Sequence, residues 1–376
     1  MIKQDIPKIR FYSYQGAWTE NKISDIVKIS AGGDVDKVKL KESGKYPVIA
    51  NALTNKGIVG FYDDYKVKAP AVTVTGRGDV GYAVARHENF TPIVRLLTLQ
   101  SDNIDVDYLE NQINSMRILN ESTGVPQLTA PQLGNYKVYH PEIEEQTAIG
   151  SLFRTLDDLL ASYKENLANY QSLKATMLSK MFPKAGQAVP EIRLDGFEGE
   201  WKEKEFSKLV KRVTQSSDSD SLPKVEFEDI ISGQGKLNKD ISTKFDNRKG
   251  IHFKPGYTLY GKLRPYLNNW LLPKFEGVAL GDFWVFDPNG NDSNFIYYLV
   301  QSNRYQKVAN DTSGTKMPRS DWKSVSTTIF AIPQTIAEQQ VIGSYFSNLD
   351  NLVNSHQEKI SQLETLKKKL LQDMFI

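Results

Sequence analysis

The chain has 376 residues, of which 40% are hydrophobic, 11% aromatic and 24% charged, so it can bury a sizeable core and is not a disordered tail. The 47 basic and 45 acidic residues give a net charge of +2, which excludes a strongly basic nucleic-acid coat. The absence of cysteine excludes disulfides, thiol catalysis and cysteine-ligated metals. A mean hydropathy of −0.44 and a polar N-terminus predict a cytoplasmic location and no contact with a membrane.

The first predicted domain covers residues 1–140 and has a mixed α/β pattern. Short β-rich runs such as 71–75 are broken by Gly and Pro, and a helix is predicted over 106–116. Its first residues contain the pattern Pro-x-Ile-Arg at 7–10, followed by Gly16 and Trp18.

A long helix is predicted next, over 141–182, because Pro141 stands at its start and residues 142–182 contain no Pro. Its apolar residues alternate four and three apart, which is the heptad seam of a coiled coil. A helix of roughly 38 residues would be about 57 Å long. The seam includes Ile149, Phe153, Leu156, Leu160 and Leu167.

The same layout then repeats, with a second mixed domain over 183–330 and a second long helix over 331–376. The pattern at 7–10 returns at 190–193, and the Glu-Gln-x-x-Ile-Gly-x-x-Phe pattern at 145–153 returns at 338–346. A strand is predicted over 283–286 and a helix over 293–308. The second seam includes Ile342, Phe346, Leu349, Val353 and Ile360.

Two such seams in one chain favour helices that pack against each other, as an antiparallel coiled coil. Lys174 and Lys367 interrupt the two seams at the same step. An ordinary helical hairpin is the alternative interpretation. The predicted fold class is α+β, with two mixed domains separated by two long helices and an internal pseudo-twofold repeat.

Signatures of enzymes are missing from the sequence. It contains no phosphate loop, and the formal Gly-x-Gly-x-x-Gly at 76–81 lies in a β-rich stretch, where its glycines indicate turns. The four histidines lack metal-ligand spacing, and no nucleophile elbow or amino-methyltransferase motif is present. The sequence therefore favours recognition over catalysis.

Basic and aromatic residues in Gly-rich turns of both copies are the candidates for DNA contact. Arg and Lys suit guanine edges and phosphates, and Asn suits adenine. A solvated surface charge is the alternative for each. The candidates are Thr75, Arg77 and Arg86 in the first copy and Lys262, Arg264, Tyr266, Asn268, Lys316 and Arg319 in the second.

Four repeated features, in the same order in each copy, give the chain a family resemblance over nearly its full length. They are Gly-x-Trp, Ser/Thr-Gly before a Pro, Glu-Gln-x-x-Ile-Gly-x-x-Phe-x-x-Leu-Asp, and a helix that ends in Met-Phe. The chain resembles the specificity subunit of Type I restriction–modification systems.

This resemblance implies two target-recognition domains that each read half of a split site on double-stranded DNA, held apart by spacer helices. It implies two modification subunits that bind S-adenosylmethionine and methylate adenine. It also implies restriction subunits that use ATP and Mg. No cofactor and no metal are expected on this chain, which would be non-catalytic. A protein-binding scaffold and a stand-alone DNA methyltransferase or nuclease remain as alternatives.

Overall fold

A computed structural model describes residues 6–116, 118, 125–242, 247–311 and 317–376. The chain divides into two compact units. Unit 1 consists of Met1–Lys164 and Glu358–Ile376, and unit 2 of Glu165–Gln357. Each unit therefore combines one mixed domain with one end of each long helix, although these parts are far apart in the sequence.

The elements of unit 1 alternate short strands with short helices before the first long helix. The helices are Ile23–Ile26 (α1), Val106–Ser115 (α2), Ala130–Gly134 (α3) and Ile143–Lys180 (α4), the last of which continues into unit 2. The strands are Thr19–Lys22 (β1), Lys28–Ala31 (β2), Tyr46–Ile49 (β3), Ile58–Tyr62 (β4), Ala71–Thr75 (β5), Ala83–Arg86 (β6), Thr91–Pro92 (β7), Leu96–Gln100 (β8) and Lys137–His140 (β9).

Three sheets form among the described residues of the mixed domain of unit 1. The four-stranded sheet has the order β2-β8-β5-β6, and two smaller sheets have the orders β4-β3-β7 and β1-β9. All residues of β5 are buried, and the strand forms where the β-rich run of Val and Thr predicted it. Helix α2 packs on this sheet through Leu109 and Ile113, which join the core around Val72 and Val74.

Unit 2 has a similar order of elements. Its helices are Phe206–Leu209 (α5), Ser293–Leu299 (α6), Asn303–Ala309 (α7), Trp322–Thr327 (α8) and Ile336–Asp373 (α9), the last of which continues into unit 1. The strands are Lys202–Glu205 (β10), Lys211–Val213 (β11), Ser216–Ser217 (β12), Lys224–Val225 (β13), Ile230–Ile231 (β14), Lys236–Leu237 (β15), Gly250–Phe253 (β16), Thr258–Gly261 (β17), Trp270–Leu271 (β18), Gly277–Ala279 (β19), Phe283–Asp287 (β20) and Ile329–Ile332 (β21). Single 3₁₀ turns lie at Phe227–Asp229 and Pro265–Leu267, and unit 1 has a tight turn at Thr54–Gly57.

The sheets of unit 2 repeat those of unit 1 at the ends of the domain and differ in the middle. The sheets β11-β20-β17-β18 and β10-β21 correspond to β2-β8-β5-β6 and β1-β9. In unit 1, however, β4 adds to β3, whereas in unit 2 β16 adds to β19. The β14-β15 pair has no counterpart among the described strands of unit 1.

One predicted helix of unit 2 is wrong. The sequence predicted a continuous helix over 293–308, but helix α6 ends at Leu299 and α7 begins at Asn303. The Ser302 side chain accepts a hydrogen bond from the backbone N–H of Tyr305 and caps α7. Serine stabilises a new N-terminus better than a helix interior, so the chain breaks there. In unit 1, the helix predicted over 106–116 forms as α2.

The two long helices have 38 residues each, and their segments run antiparallel within each unit. In unit 1, Lys367 of α9 binds Asp157 of α4 at 2.5 Å. In unit 2, Lys174 of α4 binds Asp350 of α9 at 2.6 Å. The two lysines that interrupt the apolar seams are therefore paired with a carboxylate on the facing helix.

The predicted seam residues are most deeply buried near the mixed domains. In unit 1, Ile149, Phe153 and Leu156 pack with Met374 and Phe375, which directly follow the end of α9. The matching cluster of unit 2 contains Ile342, Phe346, Leu349, Met181 and Phe182. Leu160 and Ile360 of unit 1 are also buried, whereas Leu167 and Val353 of unit 2 are partly exposed.

No helix in the described ranges combines the length and hydropathy that a bilayer crossing requires.

Candidate nucleic-acid interface

A buried ion pair ties the start of each mixed domain to the start of a long helix. Arg10 donates two hydrogen bonds to the Glu145 carboxylate, at 2.7 and 2.6 Å, and a third to the carbonyl of Gly16. Arg193 makes the same contacts with Glu338, at 2.7 and 2.9 Å, and with Gly199. The bidentate geometry fixes direction as well as distance. This explains why the Arg, the Gly-x-Trp and the Glu recur together in both copies.

The Gln and Gly that follow each Glu hold the short helix of the mixed domain. The Gln146 side chain accepts from the backbone N–H of Asp105 at 3.1 Å, just before α2. A Cβ on Gly150 would lie 2.4 Å from Asp105 Oδ1 and 2.9 Å from the Tyr108 nitrogen, so only glycine permits this approach.

Unit 2 uses the same construction. Gln339 accepts from the N–H of Asp292 at 2.9 Å, and a Cβ on Gly343 would lie 2.8 Å from the Asp292 carboxylate. In both units, the repeated Glu-Gln-x-x-Ile-Gly pattern thus joins the mixed domain to the start of a long helix.

Two loops meet at one edge of the mixed domain in unit 1. They follow β5 and precede α3, at residues 76–81 and 125–128, and we call them the paired loops of unit 1. The Gly76 carbonyl accepts from the Leu128 N–H at 2.9 Å, and the Gly78 N–H donates to the Pro126 carbonyl at 3.0 Å. The side chain of Asn51 braces the first loop through the backbone of Gly76 and Arg77.

Unit 2 pairs the corresponding loops at residues 262–268 and 317–320, the paired loops of unit 2. The Lys262 carbonyl accepts from the Ser320 N–H at 2.8 Å, and the Arg264 N–H donates to the Pro318 carbonyl at 2.7 Å. An isolated β-bridge joins Leu263 to Arg319, as another joins Arg77 to Gln127 in unit 1.

These hydrogen bonds show which loop residues of the two units correspond. Gly76 corresponds to Lys262, because their carbonyls accept the equivalent hydrogen bonds. Pro126 corresponds to Pro318, so the second loop of each pair contains a proline at the same place. The backbone N–H groups of Tyr108 and Phe295 donate equivalent hydrogen bonds to the Asp105 and Asp292 side chains, so these residues occupy corresponding positions in α2 and α6.

The structure separates the candidates of unit 1 into exposed and buried residues. Arg77 is exposed on the paired loops. Thr75 is buried and its hydroxyl donates to the Asp79 carbonyl inside the turn. Arg86 is 8% exposed and donates to Thr73 Oγ1 and to the Lys56 carbonyl, and burial lowers its pKa to about 10. Thr75 and Arg86 therefore stabilise the sheet and the turn in this structure.

In unit 2, the candidates lie together on the paired loops. Arg264 and Tyr266 are exposed, and Asn268 is partly exposed. Arg264 and Asn268 have φ angles of +48° and +54° and bracket a single 3₁₀ turn. Lys316, like the Ser/Thr-Gly pairs at 123–124 and 313–314, lies outside the described residues.

Asp282 is a functional candidate that the sequence did not single out. Its carboxylate lies 3.0 Å from the Arg319 guanidinium and 3.6 Å from Lys262 Nζ. It follows Gly281, which gave no signal beyond a turn in the sequence, and only the fold brings it to the two loops. The Asp282 carboxylate thus lies beside Lys262 and Arg319 on the paired loops of unit 2, which also present the exposed Arg264.

A polar cleft of about 680 Å³ lies in unit 1 between the mixed domain and the long-helix segments. The Glu110 side chain lines it, and burial, with the nearby Asp157 charge, raises the pKa of this carboxyl to about 7. The corresponding cleft of unit 2 has about 250 Å³. Within the described ranges, no group of three or more His, Asp or Glu side chains is arranged to hold a metal ion.

Comparison with known proteins identifies the family. The model of the Type I restriction modification DNA specificity domain matches residues 15–169 and 231–365, which is more than half of the chain. The chain belongs to this family. Both matched ranges include the paired loops of one unit, and the second also includes Asp282.

Several relatives share this assignment at low identity. The specificity subunit of the Type I restriction enzyme EcoDI of Escherichia coli is 18% identical over 92% of this chain and 86% of its own length. Two Mycoplasma pneumoniae proteins named as type I specificity subunits are 27% and 26% identical. Those two matches cover 37% and 39% of this chain and 39% and 50% of the two relatives.

Solved structures support the fold. The S subunit of a Type I restriction–modification system from M. genitalium has a TM-score of 0.68, with 16% identity and 99% of each chain covered. This confirms the predicted fold class of two mixed domains with long helices and an internal repeat.

Proposed function

We propose that this family member is the DNA-recognition subunit of a Type I restriction–modification complex and reads a bipartite site. Each unit would read one half-site with its paired loops. The observation that supports this most directly is the repeated construction of those loops, with the same backbone hydrogen bonds and exposed basic side chains in both units. Basic side chains on a braced loop suit phosphates and guanine edges.

The chemistry belongs to partner subunits in this proposal. Two modification subunits would bind the chain, hold S-adenosylmethionine and methylate adenine. Restriction subunits would use ATP and Mg for translocation and cleavage. The chain itself would be non-catalytic, would hold no cofactor or metal, and would act in the cytoplasm, where the DNA and its partners are. The near-neutral charge of +2 fits such a division, since partners can supply phosphate contacts.

Methylome sequencing of a host that carries the chain and its modification partners tests this function. We expect methylated adenines within one bipartite sequence. Exchange of residues 202–320 for the matching segment of a relative should change one half-site and leave the other unchanged. Methylation that is independent of the chain, or a chimera in which both half-sites change, would contradict the proposal.

Further assays separate the two rival functions. A stand-alone DNA methyltransferase or nuclease would bind cofactor or modify DNA as a purified chain, which calorimetric titration with S-adenosylmethionine and a DNA cleavage assay would detect. A protein-binding scaffold would give an assembled complex without sequence-dependent DNA binding.

A further inference from the structure

One position beside the paired loops differs in charge between the two units. In unit 1, Thr75 of β5 pairs with Leu96 of β8, and in unit 2 Gly261 of β17 pairs with Phe283 of β20. The residues that precede Leu96 and Phe283 are Arg95 and Asp282. The strand register therefore places an arginine in unit 1 where unit 2 has an aspartate.

Asp282 connects both paired loops of unit 2. Its carbonyl accepts from the N–H of Lys262 at 2.9 Å, and its carboxylate lies 3.0 Å from Arg319 and 3.6 Å from the Lys262 amine. Lys262 and Arg319 come from different loops and keep side-chain exposures of 31% and 54%. One carboxylate thus fixes the positions of two cations that both remain accessible to a ligand.

In unit 1, Arg95 stands at the position that Asp282 occupies in unit 2. It is exposed, and a Cβ on Gly76 would lie 2.4 Å from the Arg95 carbonyl oxygen, so its backbone lies directly against the first paired loop. Gly76 and Gln127 stand where Lys262 and Arg319 stand in unit 2, so neither supplies a cation there.

The backbone of Arg95 is also unusual. Its φ of +73° lies in the left-handed region, which long side chains rarely adopt. In unit 2, the positive φ of this turn falls one residue earlier, on Gly281. Residues held in such conformations concentrate at functional sites, and Arg264 on the paired loops of unit 2 is a second example.

We propose that Arg95 contacts the DNA directly in unit 1 and that Asp282, at the equivalent position of unit 2, is a positioning residue for Lys262 and Arg319. This inference rests on the proposed function, because it assigns roles within the same DNA interface. The two units then share the same backbone arrangement at this position but place side chains of opposite charge there. Unit 1 presents its own cation at this position, whereas unit 2 orients the cations of its two loops.

The test uses the full chain assembled with its modification subunits and a randomised DNA pool from which bound sequences are selected and read. The variants are Arg95→Asn and Asp282→Asn. Asparagine tolerates positive φ, so the first variant should fold, and a thermal melt checks this. Lys28→Asn is the matched control, because it removes one positive charge at the other end of the same sheet, where Lys28 pairs with Gln100.

We expect Arg95→Asn to alter binding through unit 1 alone. A lost base contact should reduce discrimination at one position of that half-site by roughly 5- to 150-fold. A lost phosphate contact should reduce the salt slope by about one. Either result supports the proposal. Half-site preferences, affinity and salt slope that all equal those of wild type and of Lys28→Asn would overturn it.

We expect Asp282→Asn to release Lys262 and Arg319, so that affinity for random DNA rises while discrimination at the other half-site falls. Unchanged preferences at that half-site would overturn the positioning role. The exchange of residues 202–320 identifies which half-site unit 2 reads. A wild-type complex without any sequence preference would overturn the proposed function itself, whereas a selective wild type with unaffected variants would overturn only this inference.

Discussion

Replacement of Glu110 by Gln should stabilise unit 1 at neutral and alkaline pH. Burial in the cleft, together with the Asp157 and Asp107 charges, raises the pKa of the Glu110 carboxyl from 4.5 to about 7, and the Lys367 amine and the Ala85 N–H only partly oppose this. The folded protein therefore holds the proton more tightly than the unfolded chain. Below pH 4.5 both states are protonated, and ionisation carries no penalty. As the pH rises through about 7, the penalty develops fully.

The size of the effect follows from that pKa. A rise from 4.5 to about 7 corresponds to about 3 kcal/mol of lost stability well above pH 7, and water in the cleft will reduce it. We expect Glu110→Gln to raise the free energy of unfolding of unit 1 by about 1–3 kcal/mol at pH 8. The gain should shrink towards zero near pH 4. The amide oxygen of Gln can still accept the hydrogen bond from Ala85.

Urea unfolding, followed by fluorine NMR of fluorotryptophan-labelled protein, measures the free energy of unfolding of unit 1 separately from that of unit 2. Trp18 is buried in unit 1, whereas the other four tryptophans lie in unit 2. Glu42→Gln, which removes a negative charge from an exposed position of the same unit, is the control. A variant-minus-wild-type difference for Glu110→Gln that does not grow between pH 4 and pH 8, or that matches the control, would refute the reasoning.

Three further changes have definite expected outcomes. Gly150→Ala should destabilise unit 1 by about 1–3 kcal/mol in urea, because its Cβ would approach the α2 cap to 2.4 Å. Lys174→Met should destabilise unit 2 by about 1–3 kcal/mol by leaving the partly buried Asp350 carboxylate without its cation, and Lys174→Met combined with Asp350→Leu should restore part of the loss. Four residues inserted in each long helix, near Leu167 and Ile360, add about 6 Å and should lengthen the gap between methylated half-sites by one or two base pairs, as methylome sequencing would report.

The parts of the fold that the sequence predicted are those set by periodicity and by repetition. The heptad spacing predicted both 38-residue helices, and the buried run at 71–75 predicted strand β5. Repetition identified the Glu-Gln-x-x-Ile-Gly pattern as important without explaining it. The reason became visible only in the fold, because Arg10 and Glu145 are 135 residues apart in the chain.

The parts that the sequence missed depend on contacts between distant loops. Arg86 looked like a surface cation in a turn-rich stretch, yet its neighbours on β5 and the 54–57 turn enclose it. Asp282 and Arg95 gave no signal, since nothing in their immediate sequence shows that two other loops converge on them. Helix α6 was predicted too long, because the apolar pattern continues across the Ser302 cap.

The two units share the backbone contacts between mixed domain and long helices but differ in the side chains that line the cleft and the loops. The strictness of each contact's geometry explains where the differences occur. Bidentate ion pairs and glycine contacts have strict geometry, so Arg10 and Gly150 have identical counterparts in unit 2. Side chains that point into a cleft or towards a ligand face no such demand. Glu110 of unit 1 thus corresponds to Tyr297 of unit 2, which is buried beside Asp350. The cleft of unit 1 has a volume of about 680 Å³, and that of unit 2 about 250 Å³. A frame fixed through backbone contacts allows the exposed residues to change without loss of the fold, as a protein that must read two different half-sites requires.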